Sequence, residues 1–563
     1  MGTFRRGLSL AAAALALVAV TYGCYAWLTS LLPSVFGHRE ALRVATPLER
    51  PAPVAEGVRV VVVQIGGLSD ALAEQMPTLQ ALREHGAHGA LRGADYGGAT
   101  DELWRTGAGA QLSGAVLVTE EAQPAVADSL IAAVQRAGLL ALELPADGSN
   151  DGERMAAALS ALAAQPPHLL WLSLIDLEAA VRAASPAADE TVSAALTLDA
   201  RLRALAEAID LADTCLVVVV GEAPGAALSN RQDPVASVCL AGAGIVPGPF
   251  ETADGRALAP TLAALLGIAP PALCEGDALL GTLALEAPAR AQWSLAQAEQ
   301  RAHLARAWLA ALGGDLSATI ESDLAAGAAC LEAGNLPCAE QLARFSLNAA
   351  RTAMNDASAT RLATERLHRA PLALLAVMLP ALLWLLRADR LRWHLFACAL
   401  LVPLVAVTLE LRGPEAANPT ALLPLSAFLR RTATRTALAL APSIVLALLG
   451  CALSARRSAQ PSVLELGIAL CVYGMQVLYL LLLPAIAGFA AYGLSVRWYL
   501  PAPDLLYAHI ASLLYALLAG GVLCVLPWPA LLLAVPAVRR GRDKPLKRLN
   551  LLEESYAHRR DRK

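Results

Sequence analysis

The stretch VRVVVVQIGGLSDAL, residues 58–72, decides how the rest of this chain is read. Val58, Val60 to Val63 and Ile65 form a nearly unbroken apolar run. Side chains branched at Cβ lose freedom in a helix and suit a pleated strand. A strand apolar at successive positions has both faces covered, as in a sheet layered between helices. Strand ends in such sheets are where functional groups gather, yet this one closes on Gly66 and Gly67, which offer no side chain.

Working outward, LLWLSLI (169–175) and TCLVVVV (214–220) repeat the same kind of run, and ETVSAALTLDARLRALAEAI (190–209) between them has the apolar spacing of an amphipathic helix. Strand, helix and strand joined by long crossovers predict an α/β domain with a mostly parallel sheet over 57–285. Asp189 and Glu190 read as the charged start of a helix. From 286 to 369 the strand signal stops. ARAQWSLAQAEQRAHLARAWLAAL and PCAEQLARFSLNAARTAMNDASATRLATERL are amphipathic helices flanking the turn EAGNLP, and this segment reads as a helical stalk. Cys330 and Cys338 bracket that turn and are expected to pair in an oxidising compartment; Cys239 with Cys274 is a second candidate pair.

Composition sets the wider frame. Of 563 residues, 56% are hydrophobic and only 16% charged, too apolar for an ordinary soluble protein. The net charge of -4 excludes nucleic acid as the main partner, because a polyanion binder needs a concentrated basic face. Arg5 and Arg6 precede about twenty apolar residues, enough to cross a hydrocarbon core. Residues 1–30 are read as a retained signal-anchor, with a cleaved signal peptide, or a lipoprotein signal at Cys24, as the alternatives. A Pro-bearing linker fills 31–56. Further spans are expected at 370–386, 393–411, 436–454, 463–489 and 505–526 in a bundle over 370–538, with VLPWPALLLAVPAV (525–538) as a kinked or interfacial continuation of the last.

The flanking Lys and Arg set the topology. With the amino terminus inside, inside segments hold 17 basic residues, ten of them in the tail 539–563, against five in the outside loops: Arg412, Arg430, Arg431, Arg435 and Arg497. Six spans with both termini cytosolic follow, and FLRRTATR (428–435) is the one segment that dissents. The Ala-, Leu- and Arg-rich composition favours a bacterial inner membrane with the α/β domain facing the periplasm; an endoplasmic reticulum membrane is the alternative. Membrane lipids are therefore partners by default, with anionic lipid at the basic tail. Glu410, Glu465 and His509 all fall near span ends, which gives a transporter little support.

Taken in order, VVVVQIGGLSDAL, MPTLQALREHGA, ATDELWRTGAGAQLSG, LLWLSLIDLEAA, LTLDARLRALAEAI, CLVVVVGEAPG, CLAGAGIVPG and ALAPTLAALLGIAPP resemble the alkaline phosphatase superfamily of sulfatases, phosphodiesterases and phosphoethanolamine transferases. The series spans about 57–285. The layout of anchor, exported domain, helical segment and membrane bundle is similar to the GPI ethanolamine phosphate transferases. The resemblance implies two metal ions, usually zinc, held by carboxylates and imidazoles, beside a nucleophile at a helix start, because a phosphodiester or sulfate ester resists attack until cations neutralise its oxygens.

The positions that should supply those ligands have changed. Gly66 stands where the family has the first-strand Asp; Ala180 follows Asp176 where a His is expected; Glu222 and Ala223 stand where the family has Asp and His. The two-zinc site is therefore expected to be lost and no cofactor is implied; Asp176 and Glu222 together suit one hard cation such as calcium or magnesium, the alternative being that both are solvated or cap neighbouring helices. Thr106-Gly107 matches the family's Thr-Gly, and Ser113-Gly114 sits where His-Gly is common. Thr100 is the candidate nucleophile, six residues before Thr106, and competes with a plain helix N-cap followed by Asp101 and Glu102. His85 and His88 are separated by Gly86 and are not expected to form a metal pair. Gly242 to Gly248 read as a turn after a strand.

Two functional classes follow. One is a pseudoenzyme whose exported domain binds or scaffolds, with a lipid head group, a glycan or an envelope protein as partner. The other is an active phosphoethanolamine-transferase-like enzyme or phosphodiesterase with a rearranged site at Thr100, Asp176 and Glu222.

Overall fold

The computed structural model describes residues 2–36, 57–92, 104–105, 107, 128–145, 150–183, 188–221, 235–386, 390–412, 425–457, 463–496 and 503–527. The described residues divide into two compact units, one drawn from 35–364 and the other from 2–34, 365–496 and 503–527.

The first unit is organised by one sheet. Its strands are β1 (Arg59–Gly66), β2 (Ala87–Arg92), β3 (Ala141–Leu144), β4 (Leu169–Leu174), β5 (Thr214–Gly221), β6 (Val235–Gly242) and the short β7 (Gly248–Pro249) and β8 (Ala253–Asp254). They lie in the order β3-β4-β1-β5-β6-β2-β7, with β8 also on β2. β1 is central and parallel to both neighbours, Val60 opposite Leu169 and Cys215.

The three apolar runs of the sequence are thus adjacent in space. Side chains alternate along each, so Val60 and Val62 enter one core with Trp171, Val217 and Leu262, while Val61, Val63 and Ile65 enter the other with Leu172, Val218 and Leu198. Both faces are covered by helices, which is why the runs show no polar alternation.

The sheet is mostly parallel, as expected, and is mixed through a single reversed strand. β6 runs antiparallel to both β5 and β2, and every other pairing is parallel. A strand buried on both faces has the same residue pattern whichever way it runs, so direction was not legible.

The helices that cover the sheet include α1 of this unit (Pro77–His85), α2 (Asp151–Ala164), α3 (Asp176–Ala183), α4 (Asp189–Ala208) and α5 (Leu258–Leu266). α6 (Ala287–Ala311), α7 (Ala318–Glu332) and α8 (Leu336–Leu386) follow. The segment read as a stalk belongs in part to the same packing. Trp293 of α6 is in the sheet core, Gln297 Nε2 donates to Gly276 O at 3.1 Å, and Arg301, 2% exposed, donates to the Glu275 and Gly276 carbonyls and to Asp277. The α7–α8 turn carries the Cys330–Cys338 disulfide, with Cα atoms 5.9 Å apart. Cys239 and Cys274, the other candidate pair, are both free and buried.

The second unit is helical. Six helices of the described chain contain stretches long and apolar enough to cross a membrane: Leu8–Ser34, Leu336–Leu386, Leu391–Leu411, Phe428–Leu453, Glu465–Tyr492 and Leu505–Val525. The expected division at residue 369 falls inside the continuous helix α8. Within the unit, polar side chains bond across helices: Ser443 Oγ donates to Cys398 O at 2.5 Å and contacts Tyr473 Oη at 2.6 Å, and Tyr479 Oη donates to Val377 O at 3.0 Å. Where no water competes, such bonds satisfy groups that would otherwise be costly to bury.

Candidate functional site

The carboxyl ends of β1, β4 and β5 lie side by side, and this is the edge where an open α/β sheet places its chemistry. At β1 the chain turns through Gly67, whose φ of +81° is a left-handed conformation and whose N–H donates to Gly221 O at 3.0 Å. Helix α3 packs onto this turn. A Cβ built on Gly66 would stand 2.6 Å from Glu178 Oε2, and one on Gly67 would stand 2.5 Å from the Glu178 Cα. The glycines at the strand end are therefore a seat for Glu178, a residue that the sequence pattern did not single out.

β4 delivers Asp176 to the first turn of α3. Its carboxylate accepts the Asp151 N–H at 3.2 Å and one Arg201 N–H at 3.4 Å. Asp151, 1% exposed, answers from the start of α2: its two oxygens accept the N–H groups of Ile175 and Asp176, each at 2.9 Å, and it also pairs with the buried Arg154. Two helix starts thus cap each other, each carboxylate taking donors that the other helix leaves unsatisfied. The signal for Asp151 was present as the polar run ending in Asn150-Asp151, but nothing local says that its donors come from a segment 24 residues away.

The same device recurs at Asp199 of α4, 2% exposed, which accepts Thr78 N–H, Thr78 Oγ1 and Leu79 N–H at the start of Pro77–His85. Asp189 opens α4 as expected.

Other sequence candidates are placed as follows. Ala180 lies on α3, half-buried. Thr100, Thr106, Ser113, Gly114, Glu222 and Ala223 lie outside the described residues. Gly107 is described, with φ of +64°, and its carbonyl accepts Glu275 N–H at 2.7 Å and Gly276 N–H at 3.1 Å. Beside it Arg105 pairs with Glu143 and lies 5.4 Å from the Trp171 ring centre, while Trp171 Nε1 donates to Gln64 Oε1 at 3.2 Å.

His85 ends its helix with Nδ1 2.8 Å from Ala81 O, and His88 is on β2 opposite Cys239, so the two imidazoles sit on different elements. Gly242 and Gly244 do form a turn after β6, with φ of +109° and +75°.

A cleft of about 630 Å³ opens beside the same sheet edge, lined by Leu68, Gln80, Arg83, Glu84, His88, Ser237 and Phe250. Arg83 donates to Ser237 Oγ at 2.8 Å. Burial pushes the nearby Cys239 thiol up to about 12 even though the Arg83 charge pulls it down. Cys274 is pushed to about 12 by burial against the opposing pull of Arg301.

Among the described residues, the positions at this sheet edge do not assemble a zinc pair. Gly66 and Ala180 have no ligand atom, Asp176 is engaged by a guanidinium and a backbone N–H, and among the described residues no three His, Cys, Asp or Glu side chains gather in a metal-binding arrangement.

No protein-family model and no curated protein matches this chain. Among solved structures, a protein in the alkaline phosphatase superfamily from Vibrio parahaemolyticus aligns with 46% of this chain and 82% of its own, at 13% identity and a TM-score of 0.34.

Proposed function

We propose that this chain is an integral membrane protein whose α/β domain is a pseudoenzyme of the alkaline phosphatase superfamily, acting by binding or scaffolding in envelope lipid or glycan processes. The observation that carries the reading is the covered end of β1. The space where a metal-binding carboxylate at residue 66 would project is taken by Glu178, and the backbone of α3 closes over Gly67. The neighbouring strand end supports it, because Asp176 serves to cap α2 and pair with Arg201.

The orientation proposed is the one set by the flanking charges, with both termini cytosolic and the α/β domain exported. The Cys330–Cys338 disulfide supports an oxidising compartment for that domain.

The test is elemental analysis of the full chain, purified in detergent without chelator and dialysed against zinc, together with a phosphodiesterase assay on bis(p-nitrophenyl) phosphate. No stoichiometric zinc and no turnover above buffer are expected. Two zinc ions per chain with turnover would overturn the pseudoenzyme reading and favour the rearranged enzyme.

A further inference from the structure

The cleft of about 630 Å³ draws its described walls from several elements of the α/β unit. Helix α1 contributes Gln80, Arg83 and Glu84, spaced i, i+3 and i+4 so that one helical face carries all three. β2 contributes His88 and Gly89, β6 contributes Ser237, and Phe250 follows directly on β7. The volume is that of a site for a small ligand.

Phe250 is held as a platform. Its N–H donates to His88 O at 2.9 Å, which continues the pairing of β7 with β2. A Cβ built on Gly89 would stand 2.6 Å from the ring atoms Cδ2 and Cε2 and 2.8 Å from Cζ. Three ring atoms at nearly equal distance mean that the ring lays a face, not an edge, over Gly89, and any side chain at 89 would push it away. An aromatic face is the negative part of a quadrupole and attracts C–H groups of slight positive charge.

The polar lining is mixed in sign and supplies donors and acceptors together. Arg83 Nη2 donates to Ser237 Oγ at 2.8 Å, which fixes the guanidinium, and among the described residues no carboxylate pairs with it. Gln80 Nε2 donates to Ala73 O at 2.9 Å, leaving Oε1 as an acceptor. Glu84 is exposed and adds a carboxylate. The Nδ1 of His88 is buried with no hydrogen-bond partner among the described residues, and a native structure seldom leaves such a group unmatched.

These features select one ligand chemistry. Leu68, Val220 and Phe250 are the large apolar residues of the described lining, too few to enclose an acyl chain. A phosphate would meet the Glu84 carboxylate next to Arg83, and like charge opposes it. A pyranose carries hydroxyl groups that both donate and accept around its rim and C–H bonds on its faces. It can therefore stack on one aromatic ring while its hydroxyls take partners held in fixed positions.

We infer that this cleft binds a pyranose sugar, with Phe250 as the stacking surface and Gln80, Arg83 and Glu84 as partners of its hydroxyl groups. The assignment deepens the binding role proposed above and rests on that reading, yet the two fail separately. Zinc content and turnover decide the one, and sugar contact in the cleft decides the other.

The experiment is saturation-transfer difference NMR on the full chain in nanodiscs, which avoids detergents with sugar head groups. The probes are the methyl pyranosides of glucose, galactose, mannose and N-acetylglucosamine, with glycerol as an acyclic polyol control. At least one pyranoside is expected to receive saturation, strongest on the C–H protons of a single face, and glycerol none. Phe250→Leu should weaken binding of that sugar several-fold. Arg83→Gln should weaken it roughly tenfold or more, as loss of a charged hydrogen-bond donor does. Phe250→Tyr keeps the ring and should bind as the wild type does, which separates a lost contact from a lost fold.

No saturation on any of the pyranosides overturns the assignment. So does equal binding by Phe250→Leu and Phe250→Tyr, or displacement of the sugar by inorganic phosphate. A chain with no zinc, no turnover and no sugar contact would strike the sugar site while leaving the pseudoenzyme reading in place.

Discussion

Replacing Gly67 by Ala probes the closed end of β1 directly. Gly67 has φ of +81°, and an added Cβ would lie 2.5 Å from the Glu178 Cα and 2.9 Å from its N, backbone atoms that no rotamer change can move aside. The left-handed conformation costs a residue with Cβ about 1–2 kcal/mol. Forcing an extra methyl into packed surroundings costs roughly 1–3 kcal/mol more. Together these predict a loss of about 2–5 kcal/mol, a large fraction of the usual stability of a domain.

Gly138 supplies the control, since its φ of +75° is similar but nothing lies within 4 Å of its added Cβ. Gly138→Ala should therefore carry the conformational cost alone, about 1–2 kcal/mol. Hydrogen-exchange mass spectrometry on the full chain, following peptides over 58–72 and 169–183, reads the difference as lost protection. Exchange in Gly67→Ala is expected to rise by roughly thirtyfold to several thousandfold. If Gly67→Ala behaves no worse than Gly138→Ala, α3 does not press on the turn, and the main support for the pseudoenzyme reading is gone.

Two further outcomes are expected. At pH 8, maleimide should leave the buried thiols of Cys215, Cys239 and Cys274 unlabelled in the native chain and label them on unfolding, while Cys330 and Cys338 should require reduction first; native labelling at Cys239 would contradict its burial and raised pKa. Burial alone would raise the Asp254 carboxyl, but its hydrogen bonds and charge pairing with Arg256 outweigh that and hold it below the usual carboxylate range. A depressed folded pKa gives stability that is present above the unfolded value and lost as pH falls through the folded one. The wild type should therefore exceed Asp254→Asn in melting temperature near neutrality and converge with it in acid; a constant gap across that window would refute the pairing.

How much of the site was legible differs residue by residue. That β1 ends in two glycines is plain in the sequence, and so is the lack of a ligand atom at 66 and 180. What the glycines are for was not, because Glu178 meets them from a helix more than a hundred residues later, and spacing carries no sign of that contact. Asp176 could be picked out as a carboxylate at a strand end. Its engagement with Asp151 and Arg201 depends on two helix starts meeting across the sheet edge. Glu410 was read as lying near a span end, and its bonds with Tyr507, Tyr515 and Arg435 come from helices whose facing sides the sequence did not specify.

By itself, then, the chain determined the elements: strands covered on both faces, an α/β domain followed by helices, and six apolar stretches of membrane-spanning length. These depend on the chemistry of successive residues, through branching at Cβ, apolar period and run length, and such properties survive without a fold. Tertiary structure alone decided the reversed direction of β6, the docking of α6 against the sheet, the seating of Glu178 on Gly66 and Gly67, and the reciprocal caps of Asp151 and Asp176. Each of these depends on which distant backbone arrives beside a given side chain, and hydrogen bonds and close packing act only over a few ångströms of space, whatever the distance along the chain.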